Sequence, residues 1–151
     1  MESPLRKPSL SSDRLSSSTE GKEEKRRGSE TNEITRRILR AGFKVHSAFG
    51  PGLFEKTYHL CMFHELKKDG LHVESEVVLP VIYDDIKIDA AYRVDLRVAN
   101  KVLVEIKAVE KLTDVHTAQM LTYLQLSGIR VGLILNFNEV HLIDGIRRIM
   151  R

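Results

Sequence analysis

Asp95, Glu105 and Lys107 are the residues of this chain best suited to chemistry. Asp95 lies in Arg93–Val98, where Val94, Leu96 and Val98 alternate with Arg93, Asp95 and Arg97. Glu105 and Lys107 lie in Lys101–Lys107, where Val102, Val104 and Ile106 alternate with Lys101, Leu103, Glu105 and Lys107. Alternation of this kind reads as two strands joined in a hairpin. The two carboxylates offer hard oxygen ligands, which suit magnesium or manganese. Such an ion would polarise a phosphodiester and lower the pKa of a bound water. Lys107, two residues after Glu105, points the same way and could stabilise developing charge or orient that water. Alternating charge on a strand is more commonly a solvated face. Here the neighbouring elements are expected to cover both faces of the sheet, which fits a purely solvated role less well.

The apolar faces of the two strands must coincide, because a slip of one residue sets a charged residue against an apolar one. Opposed residues in an antiparallel pair have a constant index sum. Coincident faces require an even sum, as in Val94 opposite Val104. An even sum needs a loop with an odd number of residues. Val98-Ala99-Asn100 fits, since Asn100 tolerates left-handed backbone. In this register Asp95 lies opposite Leu103 and diagonal to Glu105. Diagonal neighbours are about 7–8 Å apart at the backbone, within bridging distance for two carboxylates and one ion.

These strands need a scaffold. Thr31 or Asn32 can cap a helix carrying Ile34, Ile38, Val45 and Phe49, which Gly50-Pro51-Gly52 breaks. A second helix is expected over 53–68, with Leu53, Leu60, Phe63 and Leu66 as its apolar positions and Gly70 as its stop. Val73–Tyr83 reads as a strand in which Pro80 marks an edge or a bulge. Asp84-Asp85 turns it into a partner through Ile86 and Ile88. Asp114 is expected to cap a helix over 115–127, closed by Gly128, before a buried strand at Val131–Phe137. The stretch His141–Arg151 is ambiguous between strand and helix. The order α, α, β, β, β, β, α, β implies an α/β (α+β) fold, a central mixed sheet flanked by helices.

Residues 1–30 carry a different composition. They hold eight serines, two of the four prolines and thirteen charged residues, while every aromatic residue and all six histidines lie in 31–151. Such a segment buries too little to offset its ordering entropy and is expected to be a disordered tail. Lys25-Arg26-Arg27 reads first as solvated charge, and second as a phosphate contact or an address. The folding unit is then 31–151. The chain has 151 residues and a net charge of +3, of which 31–151 keep +2, so no strongly basic domain is hidden by the average. No run of 18 apolar residues exists and no apolar stretch follows the first residues, so neither a membrane span nor a secretory signal is expected. The single cysteine, Cys61, excludes an internal disulfide framework and makes a reducing cytoplasm the default. Cys61-Met62-Phe63-His64 has zinc-like spacing but lacks a second ligand pair, and Cys61 reads as a small buried hydrophobe.

Taken in order, the motifs resemble a known family. Gly52-Leu53-Phe54-Glu55-Lys56-Thr57-Tyr58 spells G-x-x-E-x-x-Y. Tyr92–Leu96, Val104–Glu110, His116–Gln119, Leu121–Leu124 and Leu135–Asn138 follow. Together they resemble the GxxExxY proteins of the PD-(D/E)xK nuclease superfamily, over roughly 34–150. Val94 stands where the superfamily name has proline.

The resemblance implies a restriction-endonuclease-like core with a Mg2+ or Mn2+ site. On that reading Asp95, Glu105 and Glu55 hold metal, and Glu55, Asp95, Glu105, Lys107 and Gln119 form the catalytic set. Glu55 is otherwise a helix-start carboxylate favoured by the dipole. Gln119 and Tyr123 resemble the Q-x-x-x-Y element of the exonuclease branch and share a helix face. Gln119 would hold a ligand water or the substrate strand, and Tyr123 would touch phosphate or a base, with core packing an equal alternative for Tyr123. His116 reads as a substrate contact or a cap, and Tyr58 and Arg93 as packing or ion-pairing supports. The implied function is a metal-dependent nuclease acting on DNA, with a homodimer as one means of gripping a duplex. Two other classes compete: a nucleic-acid-binding or assembly module on the same fold with little turnover, and an interaction protein whose carboxylates are structural.

Overall fold

In the computed structural model, residues 13–89 and 92–151 are described, with side chains from Ser18 onward. Contacts divide the chain into two units, Met1–Glu30 and Thr31–Arg151. The first helix, α1, is assigned to Asp13–Phe49. Within the first unit every side chain from Ser18 to Glu30 is exposed. No side chain from Ser18 to Glu30 is buried, so the expected tail contributes no core; residues 1–12 lie outside the described set. The helical state there has local support, since Arg27 pairs with Glu23 at 3.3 Å and Arg26 with Glu30 at 3.8 Å, each one turn apart.

The second unit contains the core. Its part of α1 buries Ile38, Ala41 and Val45 on one stripe, while Phe49, expected inside, is exposed where Gly50 and Gly52 turn the chain at φ +63° and +109°. Helix α2, Glu55–Lys68, buries Tyr58, Met62 and Leu66. Of the expected apolar positions, Leu66 is buried and Leu53 and Phe63 pack partly buried against the core, whereas Leu60 is exposed. Tyr58 takes the inner face because its hydroxyl is satisfied there. It donates to Gly50 O at 2.5 Å and accepts from Leu53 N at 3.1 Å, and its ring stacks on Phe137 at 4.6 Å. Arg37 of α1 bonds Asp69 just beyond α2, with Nε 2.7 Å from Oδ2.

The expected strand Val73–Tyr83 is two strands, β1 (Val73–Val78) and β2 (Val81–Tyr83). Pro80 lies between them, where a missing N–H ends the ladder. β2 pairs with β3 (Ile86–Ile88) in a separate two-stranded ribbon. β4 (Arg93–Val98), β5 (Val102–Lys107), β6 (Val131–Asn136) and β7 (Ile146–Met150) join β1 in a sheet of order β1-β4-β5-β6-β7. The ambiguous last stretch is thus a 3-10 turn, Leu142–Gly145, and an edge strand. Among the described strands only β5 and β6 run parallel, joined by helix α3 (Asp114–Ser127). A parallel pair needs such a crossover.

Both sheet faces are covered. Ile38, Tyr58 and Met62 pack with Leu96, Val104, Ile106, Leu133 and Leu135 on one side. Met120, Tyr123 and Leu124 of α3 pack with Val94, Leu103, Ile134 and Ile149 on the other. Gly132 lets α3 approach closely, because a side chain there would strike Met120. β6 is buried along its whole length, as its unbroken apolar run requires.

The hairpin register differs from the expected one by two residues. Leu96 opposes Val104 and Val98 opposes Val102. The even sum holds, but the loop is Ala99-Asn100-Lys101. Ala99 and Asn100 are both left-handed at φ +52°, and Lys101 N bonds Val98 O at 3.0 Å. Both registers match the apolar faces, so the turn decides between them. The alternation also breaks at Asp95: Val94 packs in the α3 cluster and Leu96 in the other. On β1, Glu76 sits at φ +52°, between the pairs Ser75–Leu96 and Val77–Val94. The strand pair changes face there.

Candidate active site

The β4–β5 ladder ends at Leu96 and Val104, and the next cross-strand position brings Asp95 and Glu105 face to face. Side chains take over the backbone bonding. Asp95 N donates to Glu105 Oε1 at 2.9 Å, and Ile106 N donates to Asp95 Oδ2 at 2.7 Å. Each carboxylate thus spends one oxygen on the opposite strand and keeps one. The Leu103 partner expected for Asp95 instead opposes Arg97.

The remaining oxygens face a lysine and a histidine. Glu105 Oε2 lies 3.7 Å from Lys107 Nζ, and Asp95 Oδ1 lies 3.8 Å from His59 Nδ1. Glu105 is buried. Burial first, and then the charge on Asp95, push its carboxyl up to about 7. Asp95 is raised as well, mainly by burial, and the bond from Ile106 N only partly offsets this. One lysine leaves this pair under-compensated. A buried and a half-buried carboxylate, each with one hard oxygen not bonded to the opposite strand, fit a divalent cation.

Glu55 opens α2, and one of its oxygens accepts from Ala108 N at 3.1 Å, one residue past Lys107. The break at Gly50-Pro51-Gly52, tied by the Tyr58 hydroxyl, brings that helix start to the end of β5. Among the described residues no group of three or more His, Cys, Asp and Glu side chains is poised as a ready ligand set. Glu55 therefore borders the carboxylate pair rather than completing a cage.

The chain matches the profile of the PD-(D/E)XK nuclease superfamily over residues 32–149. The chain belongs to this superfamily. Its five-stranded mixed sheet flanked by helices is the restriction-endonuclease-like core expected of the superfamily. Searches of curated proteins and of solved structures return no match.

Other expected residues of this superfamily member fall in different places. Tyr123 is buried, and burial together with the charges of Glu105 and Asp95 pushes its phenol up to about 12. It therefore stands beside the carboxylate pair. Gln119 is exposed on α3, with no hydrogen bond to any described site residue. His116 caps α3: its Nδ1 accepts from Thr113 N at 2.9 Å, so that nitrogen is engaged in the helix start. The cap is Thr113 rather than the expected Asp114. Cys61 is a half-buried free thiol at the edge of the core.

Two residues were given no role at the site in the sequence reading. Asn136 is fully buried at the end of β6, where it pairs with Lys107 across the ladder. Its Oδ1 accepts from Val109 N at 3.1 Å and Asn138 N at 3.3 Å, and its Nδ2 donates to Val109 O at 2.9 Å. It holds the chain as it leaves Lys107. A polar residue closing an apolar run was the available signal. His59, one turn after Glu55 on α2, is fixed by Ser75 Oγ at 2.7 Å from Nε2. Its spacing from Glu55 was visible, but its approach to Asp95 depends on the β1–β4 pairing.

Proposed function

We propose that this chain is a divalent-metal-dependent nuclease of the GxxExxY kind that hydrolyses DNA phosphodiesters. The observation carrying this reading is the cross-strand pair Asp95 and Glu105, with Lys107 Nζ 3.7 Å from the free oxygen of Glu105. Asp95 and Glu105 would hold Mg2+ or Mn2+, with Glu55 contributing from the rim. Bound there, the ion supplies Lewis acidity and an activated water. Lys107 places a positive charge beside the reacting phosphate and orients the attacking water. Tyr123 lines the site from α3, and Gln119, one turn earlier and exposed, is placed to meet the substrate strand.

The test is cleavage of single- and double-stranded DNA by the purified full chain with Mg2+ or Mn2+. EDTA should abolish it. Glu105→Ala and Lys107→Ala should each lower the rate by about 100-fold or more, the scale of losing one electrostatic stabiliser. Wild-type rates in both variants would refute the assignment. The incomplete ligand set favours a second reading, a nucleic-acid-binding module with little turnover. That reading predicts salt-sensitive binding without cleavage, retained in Glu105→Ala.

A further inference from the structure

Helices α1 and α2 pack on one face of the sheet and leave a groove between them. One half of it, about 300 Å3, is apolar, with Phe49 and Leu60 on its walls at 54% and 58% exposure. The other half, about 250 Å3, is cationic, lined by Arg37, Arg40, Lys44 and Lys68. Lys44 and Glu65 line both halves, so the two are continuous.

The four cations face two carboxylates. Glu65 Oε2 lies 3.0 Å from Lys44 Nζ, and Asp69 Oδ2 lies 2.7 Å from Arg37 Nε. Both carboxyls are held below their ordinary values by those bonds first, with Lys68 adding its charge at Glu65 and Arg40 at Asp69. Each carboxylate therefore has two cations beside it and neutralises one. Arg40 and Lys68 form no ion pair among the described residues, which leaves the groove two positive charges in surplus. On α1, Arg37, Arg40 and Lys44 follow one another a turn apart, and like charges so spaced weaken a helix. The stripe is kept at a local cost that an anionic occupant removes.

Charge and shape together select the occupant. A polyanion answers the surplus cations, and an unpaired base answers the apolar half. A single nucleic-acid strand carries both, and a basic groove beside an aromatic wall holds such strands without regard to sequence. A duplex turns its base faces inward and leaves Phe49 and Leu60 unused. We propose that the α1–α2 groove is an accessory binding surface for single-stranded nucleic acid, with phosphates on Arg40 and Lys68 and a base against Phe49 and Leu60. Glu55 opens α2 and Lys68 ends it, about 20 Å apart along the axis, so the groove supplies affinity and takes no part in the chemical step. This inference rests on the nuclease reading for the identity of the polyanion, and its test does not depend on cleavage.

The test is fluorescence anisotropy of the full chain in EDTA, with a labelled oligothymidine of about 20 nucleotides, the same strand in a duplex, and polyglutamate as competitor. The single strand should bind at least about tenfold tighter than the duplex, with a log–log salt slope of about −1.4, the value for two phosphates. Arg40→Glu combined with Lys68→Glu should weaken it by about tenfold or more and flatten that slope, and Arg40→Lys combined with Lys68→Arg should retain binding. Phe49→Ala should weaken it by about fivefold or more, and Phe49→Tyr should retain it. All three positions are exposed, so thermal melts of these variants should coincide with wild type. Arg40→Gln combined with Lys68→Gln, which adds no negative charge, should show the same loss of slope. Unchanged affinity in the charge-reversed variant, or a duplex bound as tightly as the strand, would overturn the proposal. So would polyglutamate displacing the strand at equal charge concentration, since the groove would then be a site for an acidic peptide. Absence of metal-dependent cleavage would count against the nuclease reading alone.

Discussion

Without metal, Glu105 should make the folded protein less stable as pH rises. Its carboxyl is pushed up to about 7 from an ordinary 4.5, by burial first and by the charge of Asp95 second. A carboxyl raised on folding binds more protons in the folded state, so stability falls with pH between the unfolded and folded values. The shift corresponds to about 3 kcal/mol, present as a penalty at pH 8 and absent at pH 4. Glu105→Gln keeps an oxygen to accept from Asp95 N and removes the charge. In EDTA at pH 8 the variant should therefore be the more stable protein by about 2–3 kcal/mol, roughly 10 °C in Tm for a domain of this size. At pH 4 the two proteins should nearly coincide. Magnesium at 100-fold its Kd should return about 2.7 kcal/mol to the wild type at pH 8 and much less to the variant. Urea unfolding at the two pH values measures the difference directly. A variant less stable than wild type by the same amount at both pH values would refute the reasoning, because Glu105 would then be a structural acceptor and not a strained charge.

Asn136→Ala removes the side-chain bonds that hold Val109 and Asn138, leaving buried backbone groups unpaired; stability should fall by about 2–4 kcal/mol, measured by denaturant melts. Tyr58→Phe keeps the stacked ring but frees Gly50 O and Leu53 N, and should cost about 1–2 kcal/mol, with hydrogen exchange rising first at 50–57. Ser75→Ala releases the His59 ring and should lower cleavage while leaving the melting midpoint within about 0.5 kcal/mol of wild type, since Ser75 is exposed.

The sheet was legible wherever a period was strict and both faces were decided by burial. β5 read correctly from its alternation, and β6 because an apolar run between turn residues has few other uses. Helix α2 read correctly in extent and, apart from Leu60, in its apolar positions, but Tyr58 and Met62 were not among them. Its stripe runs through Tyr58, whose polar hydroxyl gave no hint that Gly50 O and Leu53 N would satisfy it. Residues 13–30 read as unstructured because nothing there can be buried. Charge pairs one turn apart, such as Glu23 with Arg27, accompany the helix there without adding any core. Gln119 and Tyr123 lie on one helix at i, i+4, yet Tyr123 is buried and Gln119 exposed, because spacing does not say which way a shared face turns.

The hairpin explains why the candidate residues could be named from the sequence while their geometry could not. Amphipathic matching fixes the parity of the register and leaves shifts of two residues equivalent on that criterion. The left-handed pair Ala99 and Asn100 chooses the register that sets Asp95 across from Glu105. At that point the ladder cannot continue, since both strands present carboxylates to one another. The chain resolves this by using one oxygen of each as the acceptor that a backbone carbonyl would have been. The strand changes face at the same position, and its neighbour β1 takes a left-handed step at Glu76. A left-handed non-glycine residue costs on the order of 1–3 kcal/mol. Together with the raised Glu105, the apo protein holds two unfavourable features around one pair of carboxylates. A bound cation relieves the electrostatic one and leaves the backbone one in place. Glu76→Gly should therefore stabilise the protein by a similar amount with or without magnesium, whereas Glu105→Gln should stabilise it only without. Equal responses of the two variants to magnesium would show that strain and charge are not separable here.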